Sequence, residues 1–155
     1  SIRYELFTSY ANNPIVIKIN IKMNLFSVRV ITNDVKKLAE FYERVTGVTK
    51  VQNIDDFAEI YTEKAILAIG SPKTLGFFEG LDDISPQQNK SMILEFKVKD
   101  VDAEFERLKD FLKEKIVQKP KMMPWGNKSL LFKDPDGNLI NYFTTVTPEA
   151  IKRWG

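Results

Sequence analysis

The strand predicted at the end of the segment FKDPDGNLINYF carries an amide among apolar residues. Alternation places Leu139, Asn141 and Phe143 on one face of this strand, and Ile140 and Tyr142 on the other. An asparagine side chain offers both hydrogen-bond donors and an acceptor. The face that Asn141 occupies is therefore either part of the core or the wall of a cavity, and the sequence leaves both alternatives open.

Two charged side chains on predicted strands could bind a charged ligand. Alternation puts Arg29 on the same face as Ser27 and Ile31, and puts Glu95 on the same face as Ile93. A guanidinium is a planar fork that suits a carboxylate or a phosphate, so Arg29 could recognise either group. The alternative is that Arg29 and Glu95 pair with each other and close the cavity, because buried charges are usually paired.

The composition excludes several classes of protein. The chain has 155 residues and contains neither histidine nor cysteine. Histidine general bases, histidine triads, thiol nucleophiles, disulfides and the common transition-metal ligands are therefore absent. The net charge is +2, and no basic block with interleaved aromatic residues suggests a nucleic-acid partner. We find no apolar run of membrane-spanning length and no signal-peptide pattern, so we expect a cytoplasmic protein without a membrane partner.

The elements that position these residues repeat once along the chain. Residues 25–32 are typical of a strand, and Asp34 then precedes a helix that ends at Gly47. Residues 92–98 and Asp100 repeat the strand and the N-cap, with Asp100 lying 66 residues after Asp34. We therefore predict an α+β fold of tandem β-α-β-β-β modules with an N-cap aspartate at the same place in each.

The ends of the chain lie outside these modules. The segment PIVIKINIK at residues 14–22 alternates strictly, which indicates either an added edge strand or a poorly ordered extension. The predicted organisation is an N-terminal extension over residues 1–24, a single domain over 25–145 made of modules 25–88 and 91–145, and a C-terminal segment over 146–155 with a short helix.

Three stretches of the sequence resemble one known superfamily. They are VRVITNDVKKLAEFYERVTG, LEFKVKDVDAEFERLK and PWGNKSLLFKDPDGNLINYF, and the resemblance covers about residues 24–145. The chain resembles the glyoxalase / bleomycin-resistance / dioxygenase superfamily, the vicinal oxygen chelate fold, and is most similar in pattern to its metal-free bleomycin-resistance branch. The resemblance implies two modules whose strands form a curved mixed sheet around a cavity, and a homodimer partner that completes that cavity.

The chain departs from the metal-binding pattern of that superfamily. In its metal-dependent members a carboxylate commonly lies where this chain has Asn141. A histidine commonly lies seven residues before each capping aspartate, where this chain has Ser27 and Ile93. These three side chains cannot hold a divalent ion in the family's way. We therefore predict no metal and no cofactor, and the family's lyase, dioxygenase and transferase chemistry does not carry over.

Trp125, in the segment MPWGN, is a further candidate. In the bleomycin-resistance branch a tryptophan-glycine element precedes the DPDGN hairpin, and the resemblance implies an aromatic wall that stacks on a planar ligand. The alternative is a loop tryptophan that covers the edge of the core. The predicted ligand-binding residues are Ser27, Arg29, Ile31, Ile93, Glu95, Trp125, Asn141 and Phe143.

Three functions remain compatible with the sequence. The first, which we favour, is a metal-free protein of the bleomycin-resistance type that binds a drug-like or aromatic small molecule. The second is a metal-independent enzyme of the lyase or isomerase type, in which Glu95 acts as acid or base and Arg29 as electrophile. The third is a regulatory module whose cavity is filled by side chains.

Overall fold

A computed structural model of the chain describes the backbone of residues 2–8 and 14–20 and the complete residues 23–155. Strand β1 (Ile2–Thr8) pairs antiparallel with β2 (Pro14–Asn20) in a sheet of two strands. Strand β2 lies within the alternating segment at residues 14–22, of which Ile21 and Lys22 fall outside the described residues. The sequence predictions did not include β1.

The rest of the chain contains two four-stranded sheets and three helices, so the predicted α+β class is confirmed. One sheet has the order β3-β6-β5-β4, and the other has the order β7-β10-β9-β8. In both sheets the strand that precedes the helix lies beside the last strand of its module. The bounds are β3 Ser27–Ile31, α1 Val35–Thr46, β4 Val51–Ile54, β5 Phe57–Tyr61, β6 Ile66–Gly70, β7 Ile93–Lys97, α2 Val101–Leu112, β8 Ile116–Met122, β9 Asn127–Lys133, β10 Leu139–Thr145 and α3 Pro148–Trp154.

The chain folds into two compact units. The first-module unit comprises Leu25–Leu94 and Lys133–Leu139. The second-module unit comprises Ser1–Asn24, Glu95–Phe132 and Ile140–Gly155. None of the helices among the described residues is long and apolar enough to span a bilayer.

The two predicted N-caps are present at equivalent places. The Asp34 carboxylate accepts a hydrogen bond from the backbone N–H of Lys37 at 3.0 Å. The Asp100 carboxylate accepts bonds from the N–H groups of Asp102 at 2.9 Å and Ala103 at 3.1 Å. Each cap satisfies N–H groups that have no partner within the helix, which explains why both helices begin where the sequence predicts.

Each helix packs its apolar stripe on one sheet. Helix α1 buries Val35, Leu38, Tyr42 and Val45, which recur at helical spacing. Helix α2 buries Val101, Leu108 and Leu112. In the second-module unit, Tyr142 of β10 lies edge-on to Phe132 and Phe96, with ring centroids 5.0 and 5.6 Å away. The apolar face of each sheet is thus used for the core, and the opposite face is available for other roles.

The DPDGN turn contains a buried carboxylate, that of Asp134. Asp134 is only 2% exposed, and its carboxylate accepts four hydrogen bonds. The donors are the Tyr42 hydroxyl at 2.8 Å, the Asn138 side-chain amide at 2.7 Å, and the backbone N–H groups of Asp136 and Asn138, each at 2.9 Å. All of these residues belong to the first-module unit. The carboxylate therefore holds the hairpin tip on helix α1, a role that the sequence did not reveal.

Candidate functional site

The non-core face of the first-module sheet carries Arg29. Strand register places Arg29 beside Ala68 of β6, and Ala68 beside Glu59 of β5. The next row of the same face contains Gly70 and Phe57, which also pair directly. The small residues of β6 thus leave space between the larger side chains of β3 and β5.

The Arg29 side chain uses that space to reach two aromatic rings. Its guanidinium carbon lies 5.2 Å from the ring centroid of Phe57 and 5.8 Å from that of Phe78. Both distances fall within the range of a cation–π interaction. Within the described first-module unit the guanidinium makes no ion pair or hydrogen bond, and the residue is exposed. Within this unit the N–H groups of Arg29 therefore have no acceptor.

Gly70 makes this arrangement possible for a steric reason. A Cβ atom on Gly70 would lie 2.7 Å from the Thr74 hydroxyl oxygen and 3.6 Å from the Arg29 Cδ atom. Thr74 in turn donates a hydrogen bond to the Ser71 carbonyl at 2.7 Å and so fixes the 3₁₀ turn at Pro72–Phe77. Phe78 follows directly after this turn, so Gly70 leaves room for the Thr74 hydroxyl that fixes the turn before Phe78, while a Cβ atom there would only touch the Arg29 side chain.

Tyr61 and Glu59 add a polar edge to this face. The Tyr61 hydroxyl donates a hydrogen bond to the Glu59 carboxylate at 2.9 Å. This bond raises the pKa of Tyr61, because ionising the phenol would lose the bond and bring two negative charges together. Phe57, Glu59 and Tyr61 were not predicted as site residues, although alternation along FAEIYT puts them on one face. No local pattern in the sequence predicts the contact between Phe78 and Arg29.

The second-module sheet places Asn141 beside Glu95. The Asn141 side-chain amide donates a hydrogen bond to the Glu95 carboxylate at 2.7 Å, and both residues lie in the second-module unit. Asn141 is 8% exposed, and its side-chain oxygen has no hydrogen-bond partner among the described residues. The Asn141 side chain is therefore hydrogen-bonded through its nitrogen, while its buried oxygen is unpaired within the described part of the chain.

The remaining predicted site residues occupy more exposed positions. Ser27, Ile93 and Glu95 are exposed, whereas Ile31 and Phe143 are half-buried. Arg29 and Glu95 belong to different units, so their convergence on one cavity stays a prediction.

Trp125 lies in the turn between β8 and β9 and is 42% exposed. The next residue, Gly126, has φ of 92°, and its carbonyl accepts hydrogen bonds from the N–H groups of Val146 at 3.0 Å and Thr147 at 3.1 Å. A Cβ atom on Gly126 would overlap the Thr147 hydroxyl. The glycine therefore seats the turn on the start of helix α3, and much of the indole remains accessible.

The residues at the inferred metal positions do not suit a transition metal. Ser27 offers a hydroxyl, Ile93 offers no ligand atom, and the Asn141 amide is already bonded to Glu95. Across the described part of the chain, no cluster of three or more histidine, cysteine, aspartate or glutamate side chains could hold a metal ion. Hydroxyl and amide oxygens favour hard, weakly held cations.

A separate cavity of about 630 Å³ lies at the N-terminal end of helix α1. Its walls are residues 33–36, Lys50 and residues 52–55, and none of these is a predicted site residue. Lys50 is engaged with Glu43, its ammonium nitrogen lying 3.4 Å from the carboxylate. Its walls thus combine apolar, polar and oppositely charged side chains, Lys36 and Asp55 among the last, and this mixture does not single out a ligand.

Comparison with known proteins gives one consistent result. A model of the family described as Glyoxalase/Bleomycin resistance protein/Dioxygenase superfamily matches residues 24–142. The uncharacterized protein YraH of Bacillus subtilis (strain 168) is 30% identical over 129 residues, which cover 78% of this chain and 98% of that protein.

Two solved structures have a similar fold. A glyoxalase/bleomycin resistance protein/dioxygenase family enzyme from Burkholderia phytofirmans PsJN has a TM-score of 0.69 and 16% identity, covering 80% of this chain and 100% of that one. A glyoxalase/bleomycin resistance protein/dioxygenase from Nocardioides has a TM-score of 0.67 and 19% identity, covering 81% and 85%. At these identities the likeness establishes the fold alone.

Proposed function

We propose that this chain, which belongs to the Glyoxalase/Bleomycin resistance protein/Dioxygenase superfamily, binds a drug-like aromatic small molecule without the metal ion used by other members. The observation that carries the proposal is the Arg29 guanidinium held against the rings of Phe57 and Phe78 on an exposed sheet face. We expect the ligand to be a planar aromatic molecule that carries a carboxylate or a phosphate.

The geometry supports this class of ligand in two ways. Packing against two rings restricts the guanidinium before any ligand arrives, so less side-chain entropy is lost on binding. Its N–H edge can form two parallel hydrogen bonds to an oxyanion. Phe78 is more than half exposed, and its free ring surface can contact the aromatic body of the same ligand.

A ligand screen by thermal melting tests the proposal. We expect 2-naphthoate to raise the melting temperature by several degrees at saturating concentration, because a ligand that binds only the native state stabilises it. The neutral isostere 2-naphthylmethanol should give a much smaller shift. Equal shifts with both compounds, or no shift with any aromatic acid, would count against an anion-binding surface.

The alternative of a metal-independent enzyme requires Arg29 and Glu95 to act on one reacting group. Within their own units these side chains have other partners, two phenylalanine rings for Arg29 and the Asn141 amide for Glu95. Neither contact would activate its side chain as a general acid or a general base. The contacts therefore favour binding over turnover.

The metal prediction follows from the donor set. We expect the purified protein to carry no stoichiometric zinc, nickel, iron or manganese, because Ser27, Ile93 and Asn141 provide no imidazole, thiolate or carboxylate. Elemental analysis after dialysis against a chelator measures this directly. About one transition-metal ion per chain, retained through that dialysis, would show the prediction to be wrong.

We also propose a homodimer, as the family resemblance implies. Leu25 and Phe26 are largely exposed just before β3, and exposed apolar side chains of this size often mark an interface. Sedimentation velocity should give a dimer for the native chain and a larger monomer fraction for Phe26→Glu. The matched control Phe26→Leu keeps an apolar side chain at the same position and should leave the dimer intact. A native chain that sediments only as a monomer would contradict the proposal.

A further inference from the structure

The outer strands of the two four-stranded sheets are protected against pairing to different degrees. Strands β4 and β8 each lie at the sheet edge away from the strand that precedes the helix, and an edge strand offers backbone N–H and C=O groups to another chain. Strand β8 carries exposed Lys119 and Lys121 around Pro120, and two register shifts interrupt its pairing with β9. Lysine, proline and irregular pairing all discourage edge pairing. Strand β4, with the sequence VQNI, contains neither lysine nor proline, so its edge is the less protected of the two.

Strand β4 also presents two apolar side chains on one face. Val51 lies opposite Glu59 of β5, and Ile54 lies opposite Phe57. Glu59 and Phe57 are two positions apart and share a face, and residues directly opposite each other share it too. The register shift between the two pairs therefore puts Val51 and Ile54 on the same face, although they are three positions apart. Their exposed fractions are 42% and 60%, so both side chains are accessible along the open edge.

The sequence of β4 is complementary to itself in the antiparallel direction. When VQNI is set against a second copy that runs the opposite way, Val51 falls opposite the partner's Ile54, and Gln52 falls opposite the partner's Asn53. Apolar side chains then meet apolar side chains on one shared face, and amides meet amides, which can hydrogen-bond to each other. The symmetry axis of this arrangement passes between Gln52 and Asn53, so both copies use the same residues, as in an isologous contact.

The charges that flank β4 are complementary in the same register. Lys50 precedes the strand and falls opposite the partner's Asp55, so opposite charges meet at both ends of the paired strands. Asp55 is exposed, and among the described residues its carboxylate has no ion-pair partner. The Lys50 ammonium nitrogen lies 3.4 Å from the Glu43 carboxylate, but an ammonium has three N–H donors and can contact a second carboxylate.

We infer that β4 pairs antiparallel with β4 of a second copy of this chain, with Val51 opposite the partner's Ile54. The first-module sheets of the two copies then form one continuous sheet, with four strands from each copy. Strand β3, which Phe26 precedes, lies at the other edge of the first-module sheet, so this contact is separate from the homodimer proposed above. Two paired strands of four residues bury little surface, so we expect a weak contact that forms at high protein concentration.

Cysteine cross-linking tests this register directly, because the native chain contains no cysteine. The variants Val51→Cys and Ile54→Cys are mixed, treated with a mild thiol oxidant and analysed on a non-reducing gel. Opposite residues of paired strands lie about 4.5–5.5 Å apart, within the reach of a disulfide. In either variant alone the two thiols would lie roughly 10 Å apart, three residues along the strands, which is beyond the limit of about 7 Å. The mixture should therefore form disulfide-linked dimers several-fold faster than either variant alone.

A matched control uses the protected edge. Val117→Cys and Met122→Cys alter side chains of β8 that are 54% and 44% exposed, and their mixture should cross-link no faster than either variant alone. Adding Asp55→Lys to both β4 variants sets two lysines opposite each other and should slow the cross-linking of their mixture several-fold. Adding Phe26→Glu instead should leave the advantage of the mixture unchanged, which separates this contact from the proposed homodimer.

Two results would overturn the inference. One is a mixture of the β4 variants that cross-links no faster than Val51→Cys and Ile54→Cys do separately. The other is an unchanged rate after Asp55→Lys has been added to both. All the substituted side chains on β4 and β8 are exposed, so the variants are expected to keep the native fold.

Discussion

Replacing Asp134 by alanine is expected to lower the free energy of unfolding by about 3–5 kcal/mol, because several buried donors would lose their acceptor at once. The Tyr42 hydroxyl, the Asn138 amide and two backbone N–H groups all point at this carboxylate. Tyr42 is fully buried, so its hydroxyl cannot turn to solvent when the bond is lost. Urea unfolding followed by circular dichroism measures the loss.

Two other variants separate the carboxylate from the turn that contains it. Asp136→Ala changes the same turn, but among the described residues the Asp136 side chain has a single 3.3 Å hydrogen bond, from Gln87, so the substitution should cost less than about 1 kcal/mol. Tyr42→Phe removes one of the four bonds and should cost about 1 kcal/mol. Equal losses for Asp134→Ala and Asp136→Ala would show that the turn itself, and not the bond to helix α1, stabilises the fold.

Replacing Arg29 by methionine is expected to weaken binding of 2-naphthoate by roughly 10- to 100-fold. This loss corresponds to the about 1.5–3 kcal/mol that hydrogen bonds to a charged group contribute. Methionine keeps an apolar contact with the two rings but provides no donor. Arg29→Lys should restore only part of the affinity, because an ammonium keeps the charge and loses the planar fork. Isothermal titration calorimetry measures all three proteins.

The stability of the same variants distinguishes a binding role from a structural one. Because Arg29 is exposed, its removal should change the free energy of unfolding by less than about 1 kcal/mol. Arg44→Met, which removes the same charge from helix α1, is the matched control and should leave the affinity unchanged. A loss of several kcal/mol of stability with unaltered affinity would mean that Arg29 is the structural partner of Glu95, the alternative that the sequence leaves open.

The sequence predicted the parts of the fold that depend on local patterns. Asp34 and Asp100 act within three residues of themselves, so their capping roles are visible in the sequence. The alternation of Ser27, Arg29 and Ile31 with buried neighbours is equally local, and the burial of Val30 agrees with it.

The contacts that define the candidate surfaces are not local. The bond from Tyr42 to Asp134 joins residues 92 positions apart, and the bond from Asn141 to Glu95 joins residues 46 positions apart. Phe78 reaches Arg29 only because a 3₁₀ turn in the connector places it there. No periodicity encodes such contacts, so sequence analysis proposed Arg29, Glu95 and Asn141 as site residues but could not predict the side chains that each of them contacts.

The most direct test of the central claim is a calorimetric titration of chelator-treated protein with 2-naphthoate. The account predicts one saturable site per chain, with an affinity that neither added zinc nor added chelator changes, because the anion is bound by Arg29 between two phenylalanine rings. Binding that appears only after a metal ion is supplied, or no saturable binding of any aromatic acid, would contradict it.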